Sequence, residues 1–357
     1  MSRPPNIKSL RRDELNAQLL AWNEPAYRTD QILRWVYAQP VDSFEHMSNL
    51  PASLRAKLAA HFELNAVHAV RTRHAGDTTE KFLFQLRDGS LIETVLIPAT
   101  PGLTSQSDRH TVCVSTQVGC AYGCRFCASG LEGVKRNLTA AEIVDEVVHV
   151  QKLSGEQVNN IVVMGMGEPL ANYDELMRAL TILNAPWGLG IGARKITVST
   201  VGLVPRIRQL ADEPLQLRLA VSLHGATDAV RGQIMPVNKK YPLKELLAAC
   251  DYYVRTKHRI LTFEYILIAG LNDTAEQARE LGLLAAKLRA KVNLIPYNPV
   301  EGLPWQRPTP DACRQFQRLV ERHHVTTTLR TEKGTDINAA CGQLRLQHER
   351  AIPTQPA

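Results

Sequence analysis

The sequence predicts an α/β fold: a parallel sheet, closed or partly closed into a barrel, preceded by a small helical domain and a β-hairpin extension. Three patterns carry that reading. From about residue 111, strand-like segments alternate with helix-like ones: "TVCVSTQ", "NIVVMGM", "KITVST", "LRLAVSLH", "ILTFEYILI" and "KVNLIPYN". Six such units in succession argue for strands that run the same way with helices between them. Before them, residues 66–105 switch to a period of two, and "EKFLFQLRDGSLIETVLIP" reads as a hairpin turning at Asp88-Gly89. Residues 1–65 repeat apolar side chains at helical spacing.

Within the helical domain, "LRRDELNAQLLAW" spaces Leu15, Leu19 and Trp22 along one face. "TDQILRWVYAQ" opens on Thr29 and Asp30, residue types that cap helices. "LPASLRAKLAAHF" sets Pro51 early and follows it with Leu54, Leu58 and Phe62. In the α/β region one helix opens with Thr139 and Glu142 at capping-box spacing. The last helix, "DACRQFQRLVERHH", leads into a strand-like "VTTTLRT". The core so defined spans 106–344, and 345–357 reads as a polar tail.

Composition narrows the class. Hydrophobic residues make up 44% of the 357, enough for a sizeable core, and the 22% that are charged are ordinary for a globular chain. A formal net charge of +7 is compatible with a nucleic-acid partner without requiring one. "MSRPPNIKSLRRDEL" lacks the apolar stretch of a secretory signal, and no run of about twenty apolar residues marks a bilayer span. A cytoplasmic location with no membrane partner is the expectation. In that reducing setting the seven cysteines read as metal ligands or reactive thiols rather than disulfides.

In parallel α/β folds the chemistry sits where strands end and loops begin. That rim carries Gly119 and Cys120 after the first strand, then Gly167 and Glu168 after the second. It carries Ser199 at the third, Ser222 and His224 at the fourth, and Asn298 at the sixth. Within "CVSTQVGCAYGCRFCASG", Cys120, Cys124 and Cys127 have the spacing C-x3-C-x2-C. Thiolates suit zinc, copper(I) and iron–sulfur clusters, but a closed zinc site or a ferredoxin-type cluster wants a fourth ligand. Three thiolates on one rim loop fit a four-iron cluster with one iron open to a small molecule. The alternatives are a chance grouping, or a zinc loop completed by a distant His or Cys.

Other residues are ambiguous when taken singly. Gly165-x-Gly167 reads as a strand-end turn, His224 as a satisfied loop histidine and Asn298 as a turn residue. Cys113 reads as a packed strand cysteine, and Cys341 in "NAACGQL" as a buried thiol. Glu93, an acid within "LIETVLIP", fits the wet face of a hairpin by alternation. Cys250 and Cys313 lie in helical stretches and read as structural.

The triad, with Phe126 just before its last cysteine, resembles the signature of the radical S-adenosylmethionine (SAM) enzymes. Taken with "KRNLTAAEI", "MGMGEPL", "SLHGATDAVRGQIMPVNKKYP" and "DINAACGQL", it resembles more narrowly the RlmN/Cfr family of RNA adenine methyltransferases. The proline after Glu168 is similar to the RlmN branch. The likeness runs from the N-terminal helices through Leu344. It implies a partial (β/α)6 TIM-like barrel as the radical SAM core. It implies a [4Fe-4S] cluster on Cys120, Cys124 and Cys127, with SAM itself as the fourth iron ligand. Gly167 and Glu168 would hold the SAM amino group, and Ser199, Ser222, Leu223, His224 and Asn298 match the family's other SAM contacts.

The resemblance also implies roles for residues outside the cofactor site. Cys341 would be a methyl carrier, methylated by one SAM. A second SAM, cleaved at the cluster, would then yield a radical that removes hydrogen from that methyl group. The carbon radical adds to adenine C2, a ring carbon with no lone pair to attack a sulfonium methyl directly. Cys113 would resolve the protein–RNA adduct by forming a disulfide with Cys341, and Glu93 would be the proton acceptor. The implied substrates are an adenosine of 23S ribosomal RNA and adenosine 37 of some transfer RNAs. The implied electron donor is a flavodoxin or ferredoxin, and the protein itself a monomer. Methylation at C8, or a non-catalytic metal-containing RNA-binding protein, is the competing reading. Arg11, Arg12, Arg28, Arg34, Lys135, Arg136, Lys239 and Lys240 are candidate phosphate contacts, or a solvated face.

Overall fold

The structure, a computed structural model, describes residues 4–99, 109–300 and 302–330. Cys341 and the tail 345–357 lie outside the described residues. The N-terminal segment forms α1 (Arg12–Ala21), α2 (Tyr27–Leu33) and α3 (Ala52–His61). Leu15, Leu19, Leu54, Leu58 and Phe62 are buried as the spacing predicts, and Trp22 packs against them partly exposed. Thr29 and Asp30 do not cap α2, which starts two residues earlier with Ala26 at the capping position. Both side chains serve α1 instead: the Thr29 hydroxyl donates to Asn16 Oδ1 at 3.1 Å, and Asp30 accepts from Arg12 at 2.8 Å.

Four antiparallel strands follow: β1 (Val67–His74), β2 (Glu80–Leu86), β3 (Leu91–Pro98) and β4 (His110–Cys113). The hairpin turns at Asp88-Gly89 as expected, with Gly89 at φ +83°, but β1 adds a third strand to it. A bulge between Ala69 and Arg71 breaks the alternation of β1, a strand that the expected two-stranded hairpin does not include.

The chain then forms a ribbon of β5 (Gln117–Gly119) and β6 (Val134–Asn137). The sequence predicts one strand from 111 to 117, yet the ladder stops at Cys113. There Ser115 turns its N–H to the buried Glu146 carboxylate at 3.0 Å and its hydroxyl to the Glu93 carbonyl at 2.7 Å. Local side-chain bonds thus replace strand pairing at that point.

The remaining elements alternate as the sequence predicts: α4 (Ala140–Ser154), β7 (Asn160–Val163), α5 (Tyr173–Asn184), β8 (Ile196–Thr200), α6 (Val204–Asp212) and β9 (Arg218–Ser222). After them come α7 (Asp228–Ile234), α8 (Leu243–Lys257), β10 (Thr262–Leu267), α9 (Ala275–Lys287), β11 (Lys291–Pro296), α10 (Pro310–Glu321) and β12 (Thr327–Leu329). One sheet runs in the order β1-β2-β3-β4-β7-β8-β9-β10-β11-β12, parallel from β4 onward. Six βα strands with a short closing edge make the partial (β/α)6 barrel, extended on one side by the antiparallel strands.

The capping box at Thr139 and Glu142 opens α4, whose first nine residues are all buried. From α4, Asp145 binds the N-terminal segment to the barrel. Its carboxylate pairs with the buried Lys8 and with His149, and accepts the N–H groups of Ala66 at 2.6 Å and Val67 at 3.2 Å. The apolar cores of the helical segment and the barrel form one continuous cluster.

Candidate active site

A cavity of about 390 Å³ opens at the C-terminal ends of the parallel strands. Its walls include Cys120, Cys124 and Cys127, then Gly167 and Glu168, Ser199, Ser222, His224 and Asn298. Cys113 and Glu93 line the same cavity from β4 and β3. Leu223 does not: its side chain is buried in the core, and its backbone bonds to Glu264 and Arg231.

The cysteine loop is held by its backbone. Cys120 N–H donates to the Gly133 carbonyl at 2.9 Å, Cys127 N–H to the Cys124 carbonyl at 3.0 Å, and Arg125 N–H to Ile234 at the end of α7 at 2.9 Å. Gly119 must be glycine, since φ is +79° and a Cβ would stand 2.0 Å from the Gly133 oxygen. Within the loop Phe126 meets His224 edge-on, ring centroids 4.8 Å apart.

Burial pushes all three thiols up, Cys120 to about 11 and Cys124 well above the ordinary range. The neighbouring thiols push Cys124 further the same way, while the buried Arg231 opposes the rise. Three thiolates in one buried space therefore repel unless a metal centre compensates them, and that donor set fits an iron–sulfur cluster. Among the described residues no three His, Cys, Asp or Glu side chains converge on a single ion. A cluster takes each thiolate on a different iron and does not ask them to converge.

Glu168 is buried beside the triad. Its Oε1 accepts from Leu170 N–H at 3.1 Å and the Thr200 hydroxyl at 2.7 Å, and its Oε2 from Val201 N–H at 2.8 Å. Burial nevertheless pushes this carboxyl up to about 7, since all its partners are neutral. An ammonium group beside it would hold it ionised, which fits the SAM amino group. At Gly167, with φ +100°, a Cβ would stand 2.6 Å from the Gln117 Cβ, so no side chain fits there.

His224 takes a left-handed backbone, φ +56°, and its Nδ1 accepts the Ile266 N–H at 3.0 Å. The hydrogen therefore sits on Nε2. Burial, with Arg231 nearby, lowers the ring to about 3, so it is neutral.

Glu93 is not on a wet face. It is 2% exposed, and its Oε2 pairs at 2.8 Å with the fully buried Lys81 of the adjacent strand. Burial pushes the Cys113 thiol to about 11, while Arg330 and Lys81 pull it down. Cys250 and Cys313 are buried in α8 and α10, apart from the cavity.

Several of the candidate phosphate contacts are already engaged. Arg136 bonds Asp88 at 2.6 Å and both oxygens of Glu142, Arg12 pairs with Asp30, and Arg11 with Glu14. Arg28 donates to Gln31 at 2.7 Å. Arg34, Lys239 and Lys240 are exposed. Sequence patterning passes over Glu264, Thr200, Arg330 and Arg231. Glu264 lines the cavity, buried and bonded to Asn293 at 2.7 Å; as an acid inside "ILTFEYILI" it carries the same signal as Glu93. Arg231 donates to the Leu223 and Val201 carbonyls and to Asn238, contacts that only the fold brings together.

The Radical SAM superfamily profile matches residues 114–282, and that of the ribosomal RNA large subunit methyltransferase N-terminal domain matches residues 5–64. A probable dual-specificity RNA methyltransferase RlmN of Akkermansia muciniphila is 51% identical, over 97% of this chain and 96% of that protein. A probable RlmN 3 of Opitutus terrae is 54% identical, over 95% and 93%. The crystal structure of a radical SAM methyltransferase from Sphaerobacter thermophilus superposes with a TM-score of 0.90 at 45% identity, covering 95% of this chain and 99% of that one. With the cysteine loop, the cavity beside it and the partial barrel all in place, the chain belongs to the RlmN family, SAM-dependent RNA methyltransferases of the radical SAM superfamily that use a [4Fe-4S] cluster.

Proposed function

We propose that this protein methylates C2 of an adenosine in 23S ribosomal RNA, and adenosine 37 of some transfer RNAs, by way of a methylated Cys341. One observation carries the reading: Cys113 and Glu93, which neither a cluster nor a SAM site needs, line the same cavity as Cys120, Cys124 and Cys127. Cys341 takes its methyl group from SAM by displacement, the thiolate forming the new S–C bond as the sulfonium S–CH3 bond breaks and S-adenosylhomocysteine leaves. When bound, the cluster and a second SAM supply the one-electron cleavage that generates a hydrogen-abstracting radical. Glu168 holds the SAM ammonium in its ionised form, and Ser199, Ser222, Asn298 and the Nε2–H of neutral His224 supply neutral polar contacts. The backbone of Leu223 sets His224 in place.

Cys113 then attacks the Cys341 sulfur. The S–S bond forms as the S–C bond to the base breaks, the bonding pair stays with the new carbon, and that carbon takes up a proton. Glu93 accepts the proton leaving the ring carbon, with Lys81 beside it as counter-charge, and the cluster, when bound, would take back the adduct's unpaired electron before Cys113 attacks. A flavodoxin or ferredoxin supplies the electron, and the protein works as a cytoplasmic monomer. Among the described residues no helix is long and apolar enough to cross a membrane.

The test is anaerobic reconstitution with iron and sulfide, addition of SAM, and mass analysis of the Cys341 peptide and of nucleosides from treated RNA. The expected products are methylated Cys341 and 2-methyladenosine. An intact cluster with no methyl group on Cys341 contradicts the reading, and 8-methyladenosine would move the chemistry to C8.

A further inference from the structure

β1 is the outer edge of the sheet, and it carries two guanidinium groups that the cavity chemistry leaves unused. Among the described residues, neither the Arg71 nor the Arg73 side chain has an ion-pair partner. Cross-strand register puts both on the face that lines the cavity. Arg73 stands opposite Lys81, Lys81 opposite Val95, and Val95 opposite Cys113. One row over, Arg71 stands opposite Leu83, and Leu83 opposite Glu93. Residues paired across strands share a face, and Glu93, Val95 and Cys113 are cavity walls.

The bulge is what aims these arginines. Val67 and Ala69 pair with Leu86 and Phe84 on the core side, and unbroken alternation would send Arg71 to that side too. The register shift between Ala69 and Arg71 turns Arg71 and Arg73 to the cavity side and leaves Thr72, opposite Phe82, exposed on the other face. Burial falls off outward along the face: Lys81 is fully buried, Arg73 half-buried and Arg71 exposed. Neighbouring strands lie about 4.8 Å apart, so three spacings separate Arg73 from Cys113 by about 14 Å at the backbone. That span suits a base at Cys113 whose own and adjoining phosphates reach the sheet edge.

We propose that β1 is the RNA-backbone contact of this enzyme, with Arg71 and Arg73 gripping phosphates next to the adenosine whose base enters the cavity. The inference rests on the RNA-methylating reading and adds where the substrate strand lies. Among the described residues neither guanidinium has an ion-pair partner, and each phosphate contact it makes would release counterions.

The test titrates the reconstituted holoenzyme with a fluorescent stem-loop RNA bearing an unpaired adenosine, by anisotropy across a series of KCl concentrations. For Arg71→Ala/Arg73→Ala the Kd should rise about tenfold, and the slope of log K against log salt should fall by about 1.4, at about 0.7 per single-strand phosphate. KM for RNA should rise with kcat nearly unchanged. The Lys/Lys double variant should restore the slope, and Arg314→Ala/Arg318→Ala on α10 should leave it alone. Methylation of Cys341 by SAM without RNA, measured in parallel, reads the proposed function separately. A wild type that methylates neither Cys341 nor RNA breaks the function reading, while the titration still reports on the arginines. Unchanged Kd and slope in the Ala/Ala variant overturn the inference. So does activity lost only when a protein reductant replaces a chemical one, which would assign β1 to an acidic electron carrier.

Discussion

Two buried acids, Asp145 at the junction of the helical segment with the barrel and Glu168 in the cavity, show opposite ways of taking a carboxyl out of water. Burial works against ionisation at both. At Asp145 the cation is part of the chain: Lys8, with His149, outweighs burial and holds the carboxyl at about 2. At Glu168 the partners are a hydroxyl and two backbone N–H groups, and burial wins, pushing it to about 7. The junction carries its own counter-charge and is complete as folded. The cavity leaves a place for a cation that arrives with a ligand.

The largest expected effect lies in the cavity. Cys124→Ala should abolish methylation and lower bound iron, read by iron analysis and visible absorbance, while the protein stays folded with unfolding stability within about 1 kcal/mol of wild type. Retained iron and turnover would break the cavity side of the comparison.

At the junction, Asp145→Asn strands the buried Lys8 without its anion and should cost about 3–5 kcal/mol in denaturant unfolding. The wild type should show the matching acid limb. The folded carboxyl lies below its ordinary 3.8, so its contribution is present above about pH 4 and is lost as pH falls toward about 2.

Glu168 should slope the other way. Its folded value lies above the ordinary 4.5, so the SAM-free protein loses stability as pH rises from about 4.5 to about 7, on the order of 2–3 kcal/mol. Glu168→Gln should flatten that limb and weaken SAM binding by calorimetry. A limb unchanged in the variant would remove Glu168 as its source. The smallest effect is expected at Cys250, buried in α8 away from the cavity: Cys250→Ala should cost about 1 kcal/mol with activity intact.

Much of the framework is legible in the sequence because it depends on short-range pattern. The βα alternation, the Asp88-Gly89 turn and the Thr139–Glu142 capping box each need only a few consecutive residues. What escapes is set by distant partners. Thr29 and Asp30 look like caps until α1 claims their side chains. Glu93 looks solvated until the register of β2 and β3 brings Lys81 to it. The bulge that breaks the alternation of β1, and with it aims Arg71 and Arg73, depends on pairing with β2. The cysteine triad is legible from spacing alone, whereas Arg231 on α7, which acts on Cys124, and Glu264 on β10, which lines the cavity, come near it only through the fold.

The claim that most separates this enzyme from a simple SAM-binding barrel is that Cys113 releases the RNA. Cys113→Ala holoenzyme, given SAM, a reductant and substrate RNA, should accumulate a covalent protein–RNA species on a denaturing gel, with the link mapped to Cys341 by mass spectrometry. Free turnover to methylated RNA with no crosslink would contradict the account.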